Sequence, residues 1–330
     1  MLPFYARGGP VDPLLILLAA LILDAILGDP PLLWRALPHP VALIGRLVGA
    51  LDKKLNRDWR SRRDRQIRGA LFAGGMTLVA VGLGWGVTEL RRQWSFGWVL
   101  EALLVWTLIA QQSLYLHVRA VARGLDRTGL AGGRQAVAKI VGRDPDSLDD
   151  YGVARAAIES CAENFADGVV APVFWYLLFG FPGLLAYKTV NTMDSMVGYR
   201  DAHYRDFGMV AARLDDAMNL LPARLAAFLL TVAALFVPRG RPLAAWRVMW
   251  RDHRHHASPN SGWPEAAMAG GLGLALAGPR RYAGHAVEEK WIGDGRARAT
   301  VPDIRKSLLM LAVGCLLNGG LVILLILAQG

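Results

Sequence analysis

The chain has 330 residues, 54% of them hydrophobic and 19% charged, and 37 Lys and Arg against 27 Asp and Glu give a formal charge of +10. With a mean hydropathy of +0.30, this composition fits a polytopic membrane protein with polar loops and disfavours a water-soluble globular domain. The positive excess suits cytoplasmic loops that face anionic lipid, and no basic stripe interleaved with aromatics points to nucleic acid.

Residues 14–27 form the first apolar run, behind Arg7. Gly28-Asp29-Pro30-Pro31 follows it in place of a small-residue cleavage site, which predicts a retained helix. At about 1.5 Å per residue the run covers roughly 20 Å, a short span or a partly embedded helix. The loop up to Gly69 is densely basic in its second half and so belongs on the cytoplasmic side. Residues 69–87 and 98–116 are the next two spans, joined by a turn around Arg91, Arg92 and Trp94. The mixed-charge segment from His117 to Gly168 is expected to be helical and outside the lipid. Residues 169–190 are a span broken by Gly180-Phe181-Pro182-Gly183, either kinked or re-entrant, and irregular backbone at that depth belongs where protein surrounds it. Residues 220–237, 266–277 and 307–328 complete the spans, with polar loops between them. The expected fold class is all-α: a polytopic helical membrane protein with broken or re-entrant segments and helical cytoplasmic loops, in one domain without internal repeats.

Residues 154–219 concentrate carboxylates and amides against bilayer-grade apolar runs, where polar groups are costly unless used. Glu159, Glu163 and Asp167 recur at i, i+4 and i+8, which puts three carboxylates on one helical face beside Asn164. A cation or a cationic substrate group would relieve their repulsion; a solvated face paired with Arg155 is the bland alternative. Lys188, Asn191, Thr192, Asp194 and Ser195 form a second group, in which Lys188 snorkelling and Asp194 capping the next helix is the plain reading. Arg213, Asp215, Asp216 and Asn219 form a third, where carboxylate and amide oxygens at i, i+3 and i, i+4 suit a hard cation such as Mg2+, against simple pairing with Arg213 and Arg224. His253, His255 and His256 lack a zinc spacing. The run from Ser258 to Glu265 combines Pro and Gly with hydrogen-bonding side chains at a helix entry, a place that can receive an anion or simply cap the helix. Cys161 and Cys315 cannot make a disulfide framework and are read as packing residues. Neither GxxxxGK[ST] nor a strand-borne GxGxxG is present, so any nucleotide is held without those cradles.

Four stretches, ESCAENFADGVVAP, YKTVNTMDSMVGY with FGMVAARLDDAMNLLPAR, SPNSGWPEAAMAGGLGLAL, and LDAILGDP with PHPVALIGRL, together resemble the membrane adenosylcobinamide-phosphate synthase family of cobalamin biosynthesis. The resemblance runs in order from Leu23 to Gly295; the short Gly293-Asp294-Gly295 adds little to it. It implies an ATP-dependent amide ligase that joins adenosylcobyric acid to 1-amino-2-propanol or its phosphate. The enzyme would sit in the cytoplasmic (inner) membrane, contacting lipid and other pathway enzymes, with its active site facing the cytoplasm. ATP is then a co-substrate and Mg2+ the implied metal. On the chemistry, Asp215, Asp216 and Asn219 are expected to hold the metal, with Asp194 and Asn191 as alternatives. Glu159 or Glu163 is the expected base or ammonium site, with Asp167 and Asp194 as further catalytic candidates. His39, Lys188, Asn191, Arg213, Ser258 and Asn260 are expected at substrate and phosphate groups.

Two other classes compete. A magnesium-dependent membrane prenyl- or phosphotransferase would use the same acidic helices on a lipid diphosphate without ATP. A transporter would use intramembrane carboxylates and broken helices in two matched halves, and such halves are not found in the sequence.

Overall fold

The computed structural model describes residues 11–142, 144–282, 285–287 and 290–329. It is 77% helical. Among the described residues, five helical runs are long and apolar enough to cross a membrane: Arg62–Gln93, Gly97–Val137, Asp150–Val197, Met209–Phe236 and Val301–Leu327. The protein is therefore an all-α membrane protein. Contacts divide it into two compact units, one of Met1–Ala110, Ala171–Asn219 and Val322–Gly330, the other of Gln111–Val170 and Leu220–Leu321.

In the first unit, α1 (Pro13–Leu27) starts behind the Asp12 cap, whose carboxylate accepts the Leu14 N–H, and stops at Gly28, which takes a positive φ of 56°. The short α2 (Pro31–Ala36) leads to α3 (Pro40–Leu55), and both begin with the proline that a first helical turn tolerates. The basic first turn of α4 (Arg62–Gln93) is tied down by side chains. Arg62 Nε donates to Asp206 Oδ1 at 2.9 Å, and Arg65 Nε to Asn56 Oδ1 at 3.1 Å. The next helix, α5 (Gly97–Leu108), ends where Ile109 becomes extended, so the run read as one span over 98–116 is divided there.

The apolar run after Val170 resolves the choice between kink and return. In α8 (Ala171–Val197), Gly180 has φ 66° and ψ −155°, and a Cβ placed on Gly183 would lie 2.6 Å from the carbonyl oxygen of Trp175. Residues eight apart on a straight helix are about 12 Å apart, so the chain doubles back at Gly180 and α8 is a helical hairpin. Only glycine reaches that backbone conformation without strain. Gly84 of α4 lets the hairpin dock: a Cβ there would be 2.5 Å from Pro182 Cα. Near this contact lies a buried polar group. Arg91 Nε is 3.0 Å from Glu101 Oε2, and Tyr176 donates its hydroxyl to Glu101 Oε1 at 2.6 Å. The core on either side is Leu17, Trp106, Tyr176 and Leu184 in one cluster and Val48, Phe72, Met193 and Phe207 in another.

In the second unit, α6 (Gln111–Val137) is also folded on itself, at Gly129 (φ 64°, ψ −152°), and a Cβ on Gly124 would be 2.5 Å from Gly132 O. It packs on α7 (Asp150–Phe165), which opens with an Asp149 carboxylate accepting the Gly152 N–H. A π-turn, Ala166–Val170, follows α7 directly. Next come α9 (Met209–Ala233), whose residues from Leu220 onward belong to this unit, and α10 (Pro242–Asp252), which packs on α11 (Gly262–Leu272). The expected short span at 266–277 is, in the structure, this α11 followed by a strand. Its 11 residues reach only about 16 Å, and Gly273 in the left-handed region ends it. Gly262 to Gly271 are all buried, so its all-round apolar character is met by protein. Strand β1 (Leu276–Ala277) pairs antiparallel with β4 (Trp291–Ile292), and β2 (Arg280–Tyr282) pairs with β3 (His285–Val287). The last helix is α12 (Val301–Leu327).

Candidate active site

The predicted site residues fall into one polar network in each unit. In the second unit, the acidic face of α7 meets the Ser258-to-Glu265 segment. Glu159 is buried, and its Oε1 accepts the Ala277 N–H at 2.8 Å. Glu163, one turn on, is half-buried and accepts the Ser261 hydroxyl at 2.9 Å through Oε1. Its Oε2 has no hydrogen-bond partner among the described residues. Asp167 lies in the π-turn, a local irregularity frequent at functional sites, so the i, i+4, i+8 face is α-helical only through its first two carboxylates.

Pro259 and the two serines shape a tight turn in front of Glu163. Ser258 Oγ accepts the N–H groups of Asn260 (3.2 Å) and Ser261 (3.3 Å). The buried Asn260 accepts Arg224 Nη1 at 3.3 Å, and the Arg224 guanidinium lies 4.7 Å from the centroid of the Trp263 ring, a cation–π distance. Trp263 stacks on His253 at 4.0 Å. His256 accepts the Ser258 N–H on Nδ1 at 2.9 Å, which leaves the proton of the neutral ring on Nε2, 3.6 Å from buried Glu265. Ser258 and Asn260 thus hold the turn and its arginine, and the cation beside them is Arg224. Below this layer, Asp252 receives a forked contact from Arg251 (2.7 and 2.8 Å) and the Gly293 N–H (2.8 Å), while Arg251 reaches Asp294 at 2.9 Å. Burial pushes the Asp252 carboxyl up, but the Arg251 and Gly293 bonds outweigh it and hold the pKa below the ordinary value; the Arg251 bond lowers that of Asp294 too. The Gly293-Asp294-Gly295 piece is thereby bound into the unit.

In the first unit, the arm of α8 after Gly180 meets the start of α9. Asp215 is buried; its Oδ1 accepts Asn191 Nδ2 at 3.2 Å and its Oδ2 accepts Asn219 Nδ2 at 3.0 Å. Asn219 in turn accepts the Tyr187 hydroxyl at 3.0 Å. Sequence spacing pointed to the Asp215 and Asn219 pair but not to its links across helices with Asn191 and Tyr187. Asp216, the next residue, leaves the helix about 100° away and is half-buried near Arg200. Arg213 is exposed, about 200° around the helix from Asp215. Lys188 and Asp194 are half-buried on the same arm of α8. His39 caps α3: its Nδ1 accepts the Val41 N–H at 3.2 Å and its Nε2 lies 3.5 Å from Asp29, so both ring nitrogens serve the local loop.

The donor set decides what kind of metal site is feasible. Among the described residues no three His, Cys, Asp or Glu converge as a metal cage, and Asp215 and Asp216 diverge. One buried carboxylate flanked by two amides does fit a magnesium ion held mostly by substrate phosphates and water. A site needing Asp215, Asp216 and Asn219 together does not fit.

The family model described as CobD/Cbib protein matches residues 17–311. The chain is 49% identical over 318 residues to the cobalamin biosynthesis protein CobD of Sinorhizobium sp, covering 94% of this chain and 97% of that one. It is 50% identical to the protein of the same name from Rhizobium meliloti (92% and 93% covered), and 45% identical to that of Rhodobacter capsulatus (88% and 89%). No solved structure matches. With its motifs, its helical fold and near-complete coverage of these relatives, the chain belongs to the CobD/Cbib family.

Proposed function

We propose that this protein is an enzyme of cobalamin biosynthesis that joins the propionate carboxylate of adenosylcobyric acid to the amine of 1-amino-2-propanol or its phosphate, driven by ATP. Near-full-length similarity to proteins named for cobalamin biosynthesis supports the pathway. The single observation that carries the chemistry is Glu163: a half-buried carboxylate with one oxygen fixed by Ser261 and the other open, beside a turn that holds Arg224. The substrate carboxylate attacks the γ-phosphorus of ATP and releases ADP. The amine, once neutral, adds to the acyl carbon and expels inorganic phosphate. Glu163 takes the ammonium proton that must leave before the amine can attack, while Glu159 holds the α7 face against Ala277. Asp215, oriented by Asn191 and Asn219, is the residue that would hold magnesium, which when bound neutralises phosphate oxygens. Arg224 and the Ser258 turn supply the donors for an anionic group. The reaction is assigned to the cytoplasmic face of the inner membrane, where ATP is available.

The test is direct. Purified protein in detergent is supplied with adenosylcobyric acid, ATP, Mg2+ and either aminopropanol or its phosphate, and products are followed by liquid chromatography with mass detection. ATP-dependent amide product is expected with at least one amine. Absence of product with both amines, while a lipid diphosphate is consumed without ATP, would replace the ligase by a prenyl- or phosphotransferase.

A further inference from the structure

The second unit carries a groove that none of the chemistry above uses. It is about 390 Å3, within the size range of small-ligand pockets, and runs between α6 and the first turns of α12. Three arginines line it: Arg119 and Arg123, one turn apart on α6, and Arg305 on α12. Arg305 pairs with Asp126, also in the lining. Arg119 and Arg123 have no acidic partner among the described residues, so the lining holds three cations against one carboxylate. Like charges at i, i+4 destabilise a helix unless an anion lies between them.

The remaining wall is apolar. Leu308, Leu309 and Ala312 of α12 face Tyr115 and Ala122 of α6. Beyond them α12 continues with exposed Leu316. Since Asp126 meets Arg305 at one end of the groove, Arg123 and Arg119 follow along α6 over the next two turns toward Tyr115, so the cations line one wall of the groove. We propose that this groove binds an anionic phospholipid, its phosphate held by Arg119, Arg123 and Arg305 and the start of its acyl chains lying on Leu308 and Leu309. A free phosphate matches the cations but not the leucine wall, and α12 is long and apolar enough to cross a membrane.

The experiment uses the full chain, delipidated in detergent and offered dioleoyl phosphatidylglycerol or dioleoyl phosphatidylcholine, with bound lipid counted by native mass spectrometry. Phosphatidylglycerol retention is expected, with phosphatidylcholine bound weakly and millimolar inorganic phosphate failing to displace the lipid. The R119Q/R123Q protein should bind about 30-fold more weakly, R63Q on an unrelated surface should bind as wild type, and L309E, which puts a carboxylate in the groove without touching the arginines, should also lose the lipid. Equal retention of the two lipids, displacement by phosphate, or undiminished binding in either folded groove variant would overturn the proposal.

Discussion

Two helices carry the same i, i+4 arrangement of polar residues and use it in opposite ways. On α7, Glu159 and Glu163 do not touch each other: the first is committed to a backbone N–H and the second to a single hydroxyl. On α9, Asp215 and Asn219 bond directly, and Asn191 and Tyr187 lock them from α8. The first arrangement leaves a carboxylate with an open oxygen, suited to taking a proton. The second fixes a buried charge in one orientation, suited to holding a cation at a set place. A full set of hydrogen bonds thus marks an electrostatic anchor, and an incomplete set marks a group that can exchange protons.

The comparison breaks first at Asp215. Replacement by Asn removes the buried carboxylate charge, and activity in the proposed ligase assay is expected to fall by about 100-fold or more, with protein content of the membrane unchanged by immunoblot. Wild-type turnover in D215N would remove Asp215 from the reaction. Glu163 is next: E163Q should lower kcat by about 100-fold. By contrast, E159Q still offers an oxygen to Ala277 and should keep most activity. The reverse result, an inactive E159Q beside an active E163Q, would exchange their roles. A smaller effect is expected at Tyr187. Y187F leaves Asn219 with one bond fewer, a loss of about 1 kcal/mol in thermal unfolding with kcat changed less than in D215N.

The smallest effect concerns pH. The carboxyls of Asp252 and Asp294 titrate below their unfolded values, so their contribution to stability is present above about pH 4. It disappears as pH falls through the lower folded values. D252N should therefore melt about 1 °C below wild type at pH 7, and the two curves should converge as the pH falls through the folded values. A gap that persists there would mean that packing, not charge, holds the Gly293 segment.

Much of the architecture could be read from apolar runs. The segment at 69–87 lies inside Arg62–Gln93, that at 307–328 overlaps Val301–Leu327 up to its last residue, and the turn at Gly180 was announced by Gly-Phe-Pro-Gly. The break at Ile109 carries neither Gly nor Pro, so no local signal marked it. The short α11 resembled a span because burial by protein and burial by lipid select the same residues. In the candidate site, spacing along one helix exposed Glu159 with Glu163 and Asp215 with Asn219. It could not reveal partners from distant chain positions: Ala277 for Glu159, Ser261 for Glu163, Tyr187 for Asn219. The Arg91, Glu101 and Tyr176 group escaped notice for the same reason, although a lone Glu101 within an apolar run was itself a signal.

The hairpin at Gly180 bears on how the protein is made. Its tip, Phe179 to Gly183, holds no charged side chain, and its two arms are already paired through the approach of Gly183 to Trp175. A helical pair with such a tip can enter the bilayer as one piece, with no hydrophilic loop to carry across. The arm bearing Tyr187, Asn191 and Asp194 would then be delivered by the same insertion event as the arm before it, which makes Gly180 a determinant of biogenesis as well as of shape.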